Sequence, residues 1–140
     1  MLTLAEGAGR AIKQEGRAKY PHECCGAALG RFEGGGRTAE VAFSIENSHP
    51  EDGRRRRFAI TSEDYLRADA EARRLGLEVV GFYHSHPDHP ARPSEFDLRQ
   101  ALPGYAYLIL AVAEGEPGEL TAWGLADDRS EFIEEGITWR

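Results

Sequence analysis

The chain has little cysteine and no long apolar run. Its 140 residues include only two cysteines, the neighbours Cys24 and Cys25. Adjacent cysteines do not readily form a disulfide with each other, so we expect reduced thiols and a cytoplasmic protein. No apolar run approaches the roughly 18 residues of a membrane span, and no basic-then-apolar N-terminal signal is present. These absences predict a protein that is neither exported nor embedded in a membrane.

Positive charge is also scarce. The chain has 17 Lys and Arg residues against 24 Asp and Glu residues, a formal net charge of −7. Binding to nucleic-acid phosphates needs a basic surface, and the single basic run, 54–57, is predicted to be a solvated loop beside Glu51 and Asp52. The sequence therefore disfavours nucleic acid as a partner. The arginine run is also open to a second interpretation, in which it steers the approach of an acidic protein.

The remaining composition is that of an ordinary globular protein, with 41% hydrophobic and 29% charged residues. At this length we expect a single domain over residues 1–140. Periodicity and turn residues predict an α/β fold without internal repeats. Helices are predicted at 2–19, 61–74 and 94–101, a loop at 47–53, and strands at 24–31, 38–45, 57–60, 77–84, 105–113, 120–125 and 131–139.

Three of the five histidines lie close together in the segment GFYHSHPDHPARPSEFD, residues 81–97. If 79–86 is extended, His84 and His86 project from the same face of the strand and Ser85 from the other. Two neutral imidazoles suit zinc, and a carboxylate as third ligand would leave a fourth position open, as in catalytic zinc sites. The local pattern offers two such carboxylates, Asp88 and Asp97.

The first alternative uses Asp88. Residues 84–89 fit the pattern H-x-H-x-D-H, which resembles the metallo-β-lactamase family of hydrolases. A site of that kind takes further histidines from later in the chain, but no histidine follows His89. The domain of that family is also longer than this chain, so a metallo-β-lactamase-like hydrolase is disfavoured.

The second alternative uses Asp97. Residues 84–97 read H-S-H-P-x6-S-x2-D, which resembles the JAMM/MPN metallopeptidase signature in every fixed position. That family also has a glutamate far upstream, at the start of an apolar strand, and the segment PHECCG supplies Glu23. Two separate segments thus match one pattern, a more specific signal than a lone H-x-H. The chain looks like a short bacterial single-domain member of this family.

The resemblance implies a JAMM/MPN, or cytidine-deaminase-like, fold, in which helices flank a mixed β-sheet. It implies one catalytic Zn²⁺ held by His84, His86 and Asp97, with Glu23 as general base acting through a water and Ser94 as oxyanion donor. Family members typically cut the peptide or isopeptide bond after the Gly-Gly terminus of a ubiquitin-like protein, and the short bacterial forms resemble those that process sulfur carriers. The implied partner is such a carrier, and a homodimer is compatible with the sequence. The competing class is a non-catalytic MPN scaffold, which the complete ligand set disfavours.

Several residues also have simpler structural interpretations. Ser94 and Asp97 fit a helix capping box, and we expect this role to coexist with metal binding only if Asp97 uses a different oxygen for each. Cys24 and Cys25 are predicted to be core residues rather than nucleophiles. His22, His49 and His89 have no place in the signature. For His89, an ordinary loop position is favoured over one that lines the mouth of the site.

Overall fold

The computed structural model describes residues 1–47 and 60–140. The part between them, 48–59, contains His49, the four arginines and most of the loop and short strand expected before Ile60, so those predictions lie outside the described residues. In the described ranges the helices are α1 (Glu6–Lys19), α2 (Ser62–Arg74) and α3 (Glu95–Gln100). The strands there are β1 (Leu2–Leu4), β2 (Cys25–Glu33), β3 (Gly36–Ile45), β4 (Glu78–Pro87), β5 (Ala106–Ala113), β6 (Glu116–Leu125), β7 (Phe132–Glu135) and β8 (Ile137–Trp139).

The eight described strands form one mixed sheet in the order β7-β6-β5-β4-β2-β3-β1-β8. Strand β4 lies inside the sheet, antiparallel to β2 and parallel to β5. The parallel β4–β5 step requires a crossover. This crossover contains the loop with His89, between β4 and α3, and α3 itself. The predicted α/β architecture with a mixed sheet is therefore confirmed.

Helices cover both faces of the sheet, because the inner strands are apolar on both sides. Along β5, Leu108 and Leu110 belong to the core cluster that includes Ile12 of α1. Ile109, between them, belongs to a second cluster that includes Ala68 of α2. Successive residues of a strand point to opposite faces, so α1 and α2 pack on opposite sides. Buried strands of this kind read as continuous apolar runs.

The first helix begins later than its pattern predicts. The spacing of apolar residues predicts a helix from Leu2 to Lys19. Leu2 and Leu4 instead form β1, which pairs with β3 and β8. Both leucine side chains are fully buried, a gain of about 1.5–3 kcal/mol each. Differences in helix propensity stay below about 1 kcal/mol per residue, so the tertiary contacts of the strand decide the outcome.

The predicted last strand, 131–139, is two strands at opposite edges of the sheet. Only Gly136 separates β7 from β8, so the sheet must curl until its two edges meet. The amide of Leu2 donates to the carbonyl of Gly136 at 3.1 Å. The Glu135 carboxylate pairs with the Arg37 guanidinium and with the N-terminal ammonium of Met1, both at 3.1 Å. These polar contacts join the edges.

The second helix follows its sequence signals closely. Thr61 caps α2 through a full capping box with Asp64, and Gly76 follows its end with φ +73°. Gly at such a left-handed position is a common helix terminator. None of the helices in the described ranges has the length and apolar character needed to cross a membrane.

Candidate metal centre

Strand β4 carries both histidines of the signature on one side. His84 and His86 are two residues apart in a continuous strand, so their side chains share a face and Ser85 takes the opposite one. The two Nε2 atoms lie 3.1 Å apart. Phe82, two residues earlier, lies in the core cluster beneath α2, so this is the face toward α2 and α3. The predicted strand-end pair of imidazoles is confirmed in its geometry.

Asp97 reaches the same point from α3. Its Oδ1 lies 3.2 Å from Nε2 of His84, and its Oδ2 lies 3.2 Å from Nε2 of His86. The capping box is also present: the amide of Ser94 donates to Oδ2 of Asp97 at 2.8 Å, and the amide of Asp97 donates to the Ser94 hydroxyl at 3.1 Å. The expectation of a separate oxygen for each role stays a prediction, since Oδ1, which faces His84, takes no part in the cap. Oδ2 serves the cap and also faces His86.

Neighbouring groups determine the tautomer of His86 and shift the pKa values of His84 and Asp97. Nδ1 of His86 lies 2.8 Å from the carbonyl oxygen of Pro90, which can only accept, so Nδ1 carries the proton and the Nε2 lone pair points to the cluster. Burial lowers the pKa of His84, outweighing the opposing effect of Asp97. For Asp97, burial raises the pKa, but the adjacent imidazoles of His84 and His86 and the hydrogen bond from the Ser94 amide more than compensate and hold it below its usual range.

The donor set fits a zinc ion. His84, His86 and Asp97 each offer one ligand atom, these atoms all lie within 4.8 Å of one another, and the three residues are buried. Two imidazole nitrogens and one carboxylate oxygen are a common protein set for catalytic zinc. The bond from His86 to a backbone carbonyl is the outer-shell contact that typically orients such a ligand.

Glu23 lies just before the start of β2, which pairs with β4. Cys25 pairs with His84 across the sheet, and the amide of Cys24 donates to the Ser85 hydroxyl at 2.8 Å. The carbonyl of Glu23 accepts from the Asn47 side chain at 3.3 Å. Ser85, which is fully buried, therefore ties the Glu23 segment to the strand that carries both histidines. No pattern in the sequence indicated this contact.

An open cleft of about 330 Å³ connects Glu23 with the metal-binding group. We call it the Glu23–Ser94 cleft; it is lined by Glu23, His86, His89, Pro90, Arg92, Pro93 and Ser94. The Glu23 side chain is only 4% exposed. Burial, followed by the charge of Asp97, raises the pKa of Glu23 to about 9. A carboxyl group with a raised pKa in a cleft beside a metal site is suited to proton transfer.

Another, smaller cavity of about 20 Å³ reaches His84 and Asp97 from an aromatic wall that includes Tyr65, Phe82 and Tyr107. Phe82 packs edge-to-face on Tyr65 with ring centroids 4.9 Å apart. A cavity of this size holds about one water molecule. Of these two openings among the described residues, the Glu23–Ser94 cleft is therefore the one that can admit a polypeptide.

The other candidate residues lie elsewhere or have different partners. Asp88 turns away from the group: its carboxylate accepts from the Tyr20 hydroxyl at 2.6 Å and from the Glu114 amide at 2.8 Å. Cys24 and Cys25 are free thiols in the core, as predicted, and burial raises the pKa of Cys24 to about 12. His89 lies in a loop as favoured, but this loop also lines the cleft.

Comparison with known proteins agrees with this geometry. Residues 6–126 match the family described as prokaryotic homologs of the JAB domain. The chain is 34% identical to a desampylase of Haloferax volcanii over 113 residues, covering 77% of this chain and 78% of that protein. It is 39% identical to a desampylase of Pyrococcus furiosus over 70 residues, covering 50% and 48% of the two chains.

Solved structures also match the fold of this chain. A protein from Desulfitobacterium hafniense superposes with a TM-score of 0.86 at 30% identity, covering 100% of this chain and 93% of that one. A JAB1/MPN domain protein from Archaeoglobus fulgidus has a TM-score of 0.63 at 17% identity, covering 100% and 97%, which shows a shared fold. The sheet, the His-Ser-His strand and the matched family model lead to one conclusion: the chain belongs to the prokaryotic JAB branch of the JAMM/MPN family.

Proposed function

We propose that the protein is a zinc-dependent metallopeptidase that hydrolyses the peptide or isopeptide bond after the C-terminal Gly-Gly of a ubiquitin-like protein, with a sulfur carrier of that fold as substrate. The observation that carries the proposal is the convergence of His84, His86 and Asp97 beside a cleft that also holds Glu23 and Ser94. A metal-binding group, a buried carboxyl and a hydroxyl are the parts that amide hydrolysis requires.

Each of the two cleft residues has a definite role in this proposal. His84, His86 and Asp97 would hold a zinc ion, which when bound would supply a Lewis acid for the scissile carbonyl and lower the pKa of the attacking water toward about 7. Glu23 takes a proton from that water and returns it to the leaving amine. Ser94 accepts a bond from the Asp97 amide through its oxygen, so its own O–H stays available to donate to the developing oxyanion.

The access route supports glycine at the cleaved bond. His84, His86 and Asp97 are 2%, 8% and 7% exposed, and Glu23 is 4% exposed, so the scissile carbonyl must enter deeply. A Gly-Gly segment has no side chains to obstruct this approach and accepts any backbone conformation that the cleft imposes. Two similar proteins are named desampylases, which supports a ubiquitin-like conjugate as the substrate class.

The setting of the reaction follows from the same proposal. We take residues 1–140 to form a single catalytic domain, in which both core clusters share one sheet. The two cysteines are buried and unpaired, which fits a reducing compartment, and we place the activity in the cytoplasm. A purely structural MPN scaffold is the alternative that the experiment must exclude.

Intact-mass spectrometry of a fusion substrate tests the proposal. A ubiquitin-like sulfur carrier with extra residues after its Gly-Gly terminus is incubated with zinc-loaded protein, beside a control substrate in which Ala-Ala replaces Gly-Gly. We expect loss of the extension up to the second glycine and a much slower reaction with the Ala-Ala substrate.

Two controls make the result decisive. Glu23→Gln should leave the fusion intact, whereas Glu78→Gln, a change at an exposed acid on the histidine strand, should cut as fast as the unaltered protein. If the zinc-loaded protein leaves every Gly-Gly fusion and isopeptide conjugate uncut, the scaffold class replaces the enzyme.

A further inference from the structure

Arg92 presents an unpaired charge to the cleft. Its exposed side chain lines the Glu23–Ser94 cleft together with Glu23 and His86. Within residues 1–47 and 60–140, no ion pair or side-chain hydrogen bond engages its guanidinium. The chain as a whole is acidic, and other arginines such as Arg37 and Arg74 pair with neighbouring carboxylates. Relative to the described residues, Arg92 is thus a free cation at a candidate reaction site.

The backbone that carries Arg92 is held in place by contacts of the two residues before it. The carbonyl oxygen of Pro90 lies 2.8 Å from Nδ1 of His86 and accepts the Arg92 amide at 2.8 Å. The carbonyl of Ala91 accepts the Thr121 hydroxyl at 2.7 Å, and the Ala91 side chain is buried. The position of the Arg92 Cα is therefore fixed relative to a candidate zinc ligand, while its side chain stays exposed.

A fixed backbone with an exposed guanidinium suits recognition of an anion. Arginine binds carboxylates through two parallel N–H···O bonds, a geometry that lysine lacks. Because the backbone is already ordered, binding has to immobilise only the side chain. The ligand must reach a point near Glu23 and Ser94, so it belongs to the polypeptide being cut rather than to a distant surface of the partner.

We propose that Arg92 binds a carboxylate of the substrate beside the scissile bond, so that the preferred substrate is a short acidic or carboxylate-terminated extension. This inference rests on the proposed hydrolase function. The carboxylate has two sources: the free C-terminus of a residue attached after Gly-Gly, or an acidic side chain at that residue. A lysine that is joined through its ε-amine to Gly-Gly, inside a folded protein, has no free C-terminus and no acidic side chain at the cleaved bond.

Equilibrium binding separates this proposal from catalysis. Isothermal titration calorimetry is run on zinc-loaded Glu23→Gln protein, which should not turn over, with acetyl-Gly-Gly-Ala as the free acid and as the amide. We expect the free acid to bind roughly 10-fold more tightly. Acetyl-Gly-Gly-Glu-amide and acetyl-Gly-Gly-Gln-amide then show whether an acidic side chain can supply the carboxylate instead.

The variant Arg92→Gln, made in the same background, should bring the acid-to-amide affinity ratio close to one. Arg10→Gln, a change at an exposed arginine of α1 outside the cleft, should leave the ratio unchanged. A preference that persists in Arg92→Gln, or the absence of binding by all four peptides, would overturn the carboxylate site. If the Arg92-dependent preference is present but no Gly-Gly fusion is cut, the hydrolase function fails and the binding site stands.

Discussion

Metal-free protein should become more stable when Glu23 is replaced by glutamine, and this gain should increase with pH. Burial, and then the charge of Asp97, raises the pKa of Glu23 from 4.5 to about 9. Between these values the unfolded chain loses the proton while the folded chain keeps it, so the free energy of unfolding falls as the pH rises. The glutamine side chain of the variant does not titrate and escapes this loss.

The magnitude follows from the two pKa values. The difference in unfolding free energy between Glu23→Gln and the unaltered protein is about 1 kcal/mol at pH 5 and about 4 kcal/mol at pH 7.5. For a domain of this size these values correspond to roughly 3 °C and on the order of 10 °C in Tm. A bound divalent cation stabilises the ionised carboxylate, so zinc should shrink the gain.

Thermal unfolding followed by circular dichroism, in chelator and then with zinc, measures these shifts. Glu78→Gln serves as the matched control, because Glu78 is exposed on the same strand as the histidines. It should change Tm little at either pH. If metal-free Glu23→Gln is no more stable than the unaltered protein at pH 7.5, Glu23 is not the desolvated, buried carboxyl that the cleft geometry describes, and its role in proton transfer loses its physical basis.

Three further predictions concern a ligand, a donor and a positioning contact. Asp97→Ala should lower zinc content in elemental analysis, and a full equivalent of zinc would place the third ligand elsewhere. Ser94→Ala should slow turnover by roughly 10²-fold or more and lower the free energy of unfolding by about 1 kcal/mol through the lost helix cap. Thr61→Ala, which removes the matching cap of α2, should lower stability by a similar amount without changing kcat. If Ser94→Ala and Thr61→Ala reduce kcat equally, Ser94 is not the oxyanion donor. Ser85→Ala should leave the Cys24 amide unpaired, costing about 1–3 kcal/mol in urea unfolding, and an unchanged midpoint would argue against this contact.

The ligand group could be predicted because local periodicity determines most of its geometry. Alternation along β4 places His84 and His86 on one face, and a capping box is a local signal for the start of α3 at Ser94. Glu23 carries no comparable local signal. A single acid before an apolar strand is common, so only the resemblance of the whole pattern singled it out.

Contacts between distant segments limited the rest of the prediction. The pattern of Leu2 and Leu4 fits a helix as well as a strand, and their burial against β3 and β8 decides between them. The division of 131–139 at Gly136 depends on the curl of the entire sheet. The roles of Ser85 and Arg92 could not be predicted for the same reason. Each role depends on residues that only folding brings close to that side chain.

The most direct test of the central claim combines zinc content and cleavage in the same samples. Unaltered protein and Glu23→Gln are loaded with zinc, analysed for metal per chain, and incubated with the Gly-Gly fusion before intact-mass measurement. We expect one zinc per chain in both proteins and cleavage only by the unaltered one. Loss of zinc from Glu23→Gln would make Glu23 a ligand rather than the base, and equal cleavage by both proteins would contradict the account.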